Sequence, residues 1–376
     1  MSRIIAAEIY VIYRQYDRIY FNSALQFSKR QIVLVRLVAE DGLEGWGECW
    51  NFDTDASGLT AFLKSEILPN VIGIEAENRK LFTQNISRKA QLSGRYGITA
   101  AALSAVEIAL WDIAAQVVQR PLFNLLGADH KERIPVYASG GLYGQDLTLT
   151  DLETELNGYV EAGFDKVKIK FGAVNFAKDK ARLKVANNVL GRKAQLLVDA
   201  TFSLDRQSAE TWLPILSKHN VKGLQSPFPP AAWNDMAWLN GEGMPVIGIE
   251  SECRYEIFYQ MLNIDALGLI QFSPIAVGGI SASIDLIRLA AEFGKPVTLQ
   301  CSSSGLAYLT SLHIAAAFPN VVASVELHQV HDTFYEDLPI SAVHPVNGKV
   351  ELPNFVGIGL VPQQEKLPEP VAIVRL

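Results

Sequence analysis

Residues 163–172 read Gly163-Phe164-Asp165-Lys166-Val167-Lys168-Ile169-Lys170-Phe171-Gly172. Side chains of a strand alternate between its faces, so Val167, Ile169 and Phe171 share one face and Lys166, Lys168 and Lys170 the other. This run is one of eight. Short apolar runs begin near Val136, Val167, Leu196, Gly223, Val246, Gly268, Val297 and Val322, at intervals of 31, 29, 27, 23, 22, 29 and 25 residues. Helical patterns lie between them, among them 176–190, 208–219, 280–293 and 307–318. Eight strand–helix units of that length predict an α/β fold, a parallel TIM-like (β/α) barrel. A doubly wound open sheet is the alternative, and no GxGxxG follows the first strand to support it.

Upstream the rhythm differs. Residues 31–39 read as a strand, Glu40-Asp41-Gly42 as a turn and 44–48 as the second strand of a hairpin. In 103–117 the positions Leu103, Val106, Leu110, Ile113 and Val117 step by 3, 4, 3 and 4, one helical stripe that Pro121 closes. The chain therefore divides into an α+β capping domain over 1–130, a barrel over 131–327, and a segment over 328–376 that returns to the capping domain.

Composition excludes several classes. A net charge of −7 argues against nucleic acid or an anionic membrane as partner. No apolar run reaches the roughly 18 residues of a membrane span. Glu8 arrives before a signal-peptide core can form. Cys49, Cys253 and Cys301 make no CxxC pair and read as reduced thiols, so cytoplasm is the expected compartment. The apolar outer surface expected of barrel helices plus a cap predicts a symmetric homo-oligomer.

Function in such a barrel gathers at the C-terminal strand ends. The apolar face of 166–171 must meet the helices, which turns the lysines inward; an edge strand with a solvated lysine face is the bland alternative. The third, fourth and fifth strands end at Asp199, Gln225 and Glu250. Asp199 alone could equally cap a helix. Together, two carboxylates and an amide oxygen are hard ligands that suit Mg²⁺. Lysines facing such a site suggest removal of a proton next to a carboxylate: the metal holds the new charge, and a lysine whose proton affinity a like-charged neighbour lowers takes the proton.

The same residues resemble the mandelate racemase and muconate-lactonizing family of the enolase superfamily. Gly163–Lys170 is similar to its GF-x-x-V-K-x-K element, and Leu197-Val198-Asp199-Ala200 and Gly248-Ile249-Glu250-Ser251 to its first and third metal-ligand strands. Asp41–Glu48, Ala105–Ala114, Val277-Gly278-Gly279-Ile280 and Val346–Val350 fit in order. The resemblance implies a modified (β/α)7β barrel and a Mg²⁺-dependent isomerase or lyase acting on a small-molecule carboxylate: a racemase, epimerase, cycloisomerase or acid-sugar dehydratase. It makes Lys170 the base, Lys168 its electrostatic neighbour, and Asp199, Gln225 and Glu250 the metal ligands. Glu326, Ser273 and Cys301 become substrate-facing, with buried packing the competing reading for Cys301. His328 could face the same mouth, whereas His313 reads as a packing residue. Specificity is expected in loops at 16–23 and 50–55.

Departures raise a second reading. Gln225 stands where a glutamate is usual, Ser273 where an aspartate orients a histidine, and 299–302 (Leu-Gln-Cys-Ser) carries no histidine. A one-base site fits syn elimination or cycloisomerisation. The alternative is a degenerate member that binds carboxylates or regulates.

Overall fold

The structure is a computed structural model and describes residues 2–52, 55–128, 133–331, 343–359, 362 and 367–376. Three strands open the chain: β1 (Ile4–Phe21), β2 (Gln26–Ala39) and β3 (Glu44–Cys49). They pair antiparallel in that order. Helices α1 (Ser57–Phe62), α2 (Leu68–Val71), α3 (Arg79–Ser93), α4 (Tyr96–Val117) and α5 (Leu122–Leu125) follow.

The helix predicted from the stripe starts earlier, at Tyr96, and is buried almost all round. Val106, Ala109, Leu110 and Ile113 pack with the sheet, while Ile108 joins the barrel core. The stripe's last member, Val117, is 39% exposed, because the helix ends there at the surface. Gly45 and Gly47 of β3 let α4 approach: a Cβ on them would lie 2.1 Å from Ala109 O and 1.8 Å from Ala105 O. By length and hydropathy α4 alone among the described helices matches a membrane span, and 83% of that window is buried inside the protein.

The next elements alternate. They are β4 (Ile134–Gly140), the short β5 (Tyr143–Gly144), α6 (Leu149–Glu161), β6 (Lys166–Lys170), α7 (Phe176–Leu190), β7 (Gln195–Asp199), α8 (Arg206–Lys218) and β8 (Val221–Gln225). Then come α9 (Trp233–Gly241), β9 (Val246–Gly248), α10 (Tyr255–Asn263), β10 (Leu269–Phe272), α11 (Ile280–Glu292), β11 (Val297–Leu299), α12 (Gly305–Ala317) and β12 (Val322–His328).

Apart from β5, these strands form one parallel sheet. It closes where β12 pairs with β4, Val325 opposite Val136 through His328 opposite Ser139. All eight barrel strands begin within two residues of the predicted positions. Seven α-helices lie between them, and only a 3₁₀ turn (Gln329–His331) follows β12 among the described residues, which makes a (β/α)7β barrel. β13 (Lys349–Val350) adds antiparallel to β4, and β14 (Ala372–Arg375) antiparallel to β1.

Three buried carboxylates tie the N-terminal sheet domain to the barrel and to the C-terminal segment. Glu107 of α4 accepts N–H bonds from Ile280 at 2.7 Å and Ser281 at 3.1 Å, at the N-terminus of α11. Glu48 of β3 accepts the hydroxyls of Ser303 and Ser304 and the Ala307 N–H, at the N-terminus of α12. Asp112 accepts from Ile358 N at 2.8 Å and Trp46 N at 3.3 Å. Each supplies acceptors to backbone donors that a helix start or strand leaves orphaned.

The predicted loop at 16–23 is mostly strand. Tyr20 and Phe21 pair with Gly144 and Tyr143 of β5, so both neighbours supply ladder partners. Of the predicted loop at 50–55, residues 53 and 54 lie outside the described residues, as do several positions of the 328–376 segment.

Candidate active site

Strand register sets the site. Lys170 lies opposite Asp199, and Asp199 opposite Gln225, on consecutive barrel strands. The alternation read in 166–171 holds: Val167, Ile169 and Phe171 are buried among the core side chains, and the lysines point inward. Lys166 Nζ reaches Ser324 Oγ at 3.4 Å, near the barrel floor. Lys168 and Lys170 meet the carboxylates above it.

Lys170 Nζ lies 2.5 Å from Asp199 Oδ2. Lys168 Nζ lies 2.7 Å from Glu326 Oε1 and 3.9 Å from Asp199 Oδ2, and donates to Gln225 Oε1 at 2.7 Å. Gln225 Nε2 donates to Glu250 Oε2 at 2.9 Å. Asp199 Oδ1 accepts from the Thr201 N–H at 3.0 Å, and Glu326 Oε2 from the Cys301 N–H at 3.2 Å. Five ionisable side chains, from three barrel strands and the turn after β9, thus share one centre. With all of them ionised, two lysines against three carboxylates leave one negative charge in excess.

That excess falls on Glu250. Burial, and then the charge of Asp199, push its carboxyl up to about 7 against the opposing lysines. Burial would raise Asp199 too, but Lys170 and Lys168 hold it below the ordinary range. Glu326 is likewise held low, burial being outweighed by Lys168. Lys168 is a firm cation: burial opposes its charge, but Glu326, Asp199 and Glu250 raise its proton affinity above the ordinary value.

The cleft over these groups is lined also by Asn22, Phe27, Phe52, Leu142, Gln300, Ser302 and His328. Its enclosed space is about 20 Å³, room for one water and not for an acid, so a substrate enters only when side chains part. His328 is buried in the wall, and burial above all drives its imidazole down to about 3.

The sequence-predicted residues do not all face this cleft. Lys168, Lys170, Asp199, Glu250 and Glu326 line it, and Gln225 bridges two of them. The Cys301 thiol, predicted to face substrate, turns instead to α12, 3.6 Å from Ser311 Oγ; only its backbone N–H serves the site. Ser273 is buried beside the cleft, its hydroxyl without a partner among the described residues. Sequence reasoning missed Phe27 and Leu142, for which one-sided apolar residues offer no signal. It registered Gln300 only as the absence of a histidine.

The residues present fit a hard divalent cation by chemistry. Two buried carboxylates and an amide converge with negative charge to spare. No three His, Cys, Asp or Glu side chains form a metal cluster among the described residues, as expected when the second ligand position, 225, is a glutamine. Gln225 presents its oxygen to Lys168 and its amino group to Glu250, so ligation would require the amide to turn.

Comparison with known proteins agrees with this architecture. Residues 11–127 match the mandelate racemase / muconate lactonizing enzyme N-terminal domain, and residues 151–366 the enolase C-terminal domain-like family. The protein is a capped barrel of the enolase superfamily. Within it, the chain belongs to the mandelate racemase / muconate lactonizing enzyme family.

Among its relatives, the arabinonate dehydratase of Saccharolobus solfataricus is 28% identical over 332 residues, 88% of this chain and 87% of that one. The D-galactarolactone cycloisomerase of Agrobacterium fabrum is 24% identical over 98% of each chain. The crystal structure of L-talarate/galactarate dehydratase from Salmonella typhimurium superposes with a TM-score of 0.88 at 21% identity, covering 100% of this chain and 94% of that one. That dehydratase has also been crystallised with Mg and L-lyxarohydroxamate.

Proposed function

We propose that the chain is a Mg²⁺-dependent enzyme that removes the proton α to the carboxylate of a small acid, with isomerisation or dehydration as the outcome. The observation that carries this reading is the five-membered charge cluster at the barrel mouth. With Lys170 still protonated, the cluster's single excess negative charge suits a divalent cation and one carboxylate together: −1, +2 and −1 sum to zero. Lys170 then gives its proton to solvent before it acts as base.

Held by Asp199, Glu250 and Gln225, Mg²⁺ would bind the substrate carboxylate and hold the charge that develops on it. Lys170, nearest the mouth, is the base. It must leave Asp199 to reach the α-carbon, and would be free to do so once Asp199 serves as a cation ligand. Lys168 stays charged through its contact with Glu326 and holds positive potential beneath the reacting carbon. Glu326 has both oxygens engaged, so its part is to keep Lys168 in place. Among the described residues of the cleft Lys170 is the one strong base, because His328 and Gln300 are poor proton acceptors there. This favours a one-sided reaction over a two-base racemisation.

The test is α-proton exchange. A panel of α-hydroxy and α-substituted acids, incubated with the protein and Mg²⁺ in D₂O, should include members whose α-signal is lost by NMR. One observation favours a second reading, a carboxylate-binding protein without turnover: the Gln225 oxygen is spent on Lys168. Acids that bind in Mg²⁺ but never exchange would establish that reading instead.

A further inference from the structure

We propose that Gln300 is a specificity-determining residue that takes a hydrogen bond from a substrate hydroxyl, so that the acid handled here is a hydroxylated one. The inference rests on the α-proton reading above and names the substrate class for that site.

Gln300 follows β11 directly and is 3% exposed. Its side chain lines the cleft, yet its Oε1 has no hydrogen-bond partner among the described residues. A buried amide oxygen without a donor bears its full desolvation penalty, and a ligand that supplies the donor recovers it. The amide can turn over, and either of its ends asks for a polar substrate atom.

Position sharpens the assignment. β10 and β11 form the wall across the barrel from β6, which bears the lysines. The Gln300 N–H bonds Phe272 O at 2.9 Å, which sets Gln300 beside Ser273, whose buried hydroxyl is also unpartnered among the described residues. Ser302 and His328 continue the same wall. The polar groups beside Gln300 are uncharged, two hydroxyls and an imidazole that burial keeps neutral, and the wall's cation is Arg30, whose Nη1 reaches Ser302 Oγ at 3.5 Å.

The uncharged, unpartnered groups of Gln300 and Ser273 suit hydroxyls, whereas the lysine wall suits the carboxylate. Gln300 carries no titratable proton, so it can hold a hydroxyl but not protonate it. An acid with only C–H groups at that point, such as a muconate, would leave the amide unpaired and be rejected.

The test uses the full chain loaded with Mg²⁺ and four probes: a five-carbon aldonate, its 3-deoxy and 4-deoxy counterparts, and muconolactone, which has an exchangeable α-C–H and no hydroxyl. Wild type should exchange the aldonate with a kcat/KM at least about 10-fold above one deoxy counterpart and above muconolactone. Gln300→Leu should lower kcat/KM for the aldonate roughly 10- to 100-fold and leave that deoxy acid within about twofold. Gln300→Glu, which keeps an acceptor, should restore the discrimination.

Equal slowing of both acids by Gln300→Leu, or muconolactone as the preferred probe, overturns the assignment while leaving the α-proton reading standing. If no acid exchanges, that reading fails. Calorimetric titration of the same pair then still reads the subsite: tighter binding of the aldonate, lost in Gln300→Leu, supports it. Equal affinities, or no binding at all, overturn it.

Discussion

Two groups of buried carboxylates differ in what satisfies them. At the domain seam, Glu48, Glu107 and Asp112 accept from backbone N–H groups, serine hydroxyls and the Trp111 indole. Those donors are fixed by secondary structure, and each carboxylate has one stable arrangement. At the barrel mouth Asp199, Glu250 and Glu326 face chiefly lysines and one amide. Those partners sit on long side chains that can exchange one carboxylate for another ligand. Burial raises proton affinity in Glu48, Glu107, Asp112 and Glu250 alike, so burial alone does not separate structure from chemistry. The mobility of the counter-charge does.

The largest effect belongs to the mouth. Lys170→Ala should cut α-proton exchange by about 10²- to 10⁴-fold, measured by NMR in D₂O with excess Mg²⁺, while near-UV circular dichroism stays native. Exchange persisting at the wild-type rate would show that the mouth carboxylates are structural after all.

The next test titrates the seam. Ile358 is held from both sides: its N–H goes to Asp112 and its C=O to His313 Nε2, at 3.0 Å. His313 Nδ1 accepts the Phe123 N–H at 3.2 Å, which requires a neutral ring. Burial lowers His313 from 6.5 to about 4, so its contribution to stability is complete above 6.5 and lost as pH falls toward 4. Burial raises Asp112 from 3.8 to about 6, so its contribution is complete below 3.8 and lost as pH rises through 6. Each amounts to at most about 3 kcal/mol, with opposite slopes over nearly the same window. Denaturant titrations should therefore show a flatter pH dependence in wild type than in His313→Gln or Asp112→Asn. These single variants should tilt in opposite directions.

Smaller effects follow. Glu107→Ala removes the acceptor for two N–H groups of α11 and should cost about 2 kcal/mol in urea melts, with exchange activity of the folded fraction preserved. Gln225→Glu adds a charge to the mouth and should tighten Mg²⁺ binding about tenfold by calorimetry, with little change in melting temperature. If Gln225→Glu binds the cation no tighter than wild type, this position does not contact it.

Legibility in the sequence followed the range of the interactions. The lysine face was readable because alternation over six residues is a local pattern, and strand starts were readable from their spacing. β1 was not, since Arg14, Gln15, Asp17 and Arg18 interrupt its apolar run. It is a strand because β2, β5 and β14 pair with it from distant positions. Cys301 lies beyond the three residues of β11, where alternation no longer fixes direction, and its thiol went to the helix. Gln300 showed which group was missing, a histidine, but an unpartnered oxygen is a property of packing that no sequence displays. The seam carboxylates were visible only as parts of family-like elements, because their partners lie some 170 to 260 residues away.

The pairing of β14 with β1 has a consequence for how the molecule is made. Ile9 meets Ala372, a partner 363 residues downstream. At about 5–20 residues per second of synthesis, the outer edge of β1 waits roughly 20–70 s on the ribosome for the strand that covers it. Through that interval Ala6–Ile9 offers open backbone donors and acceptors on an apolar stretch, the kind of edge that another nascent chain can claim. Translation rate and chaperone supply should therefore govern the yield of this protein more strongly than its final stability does.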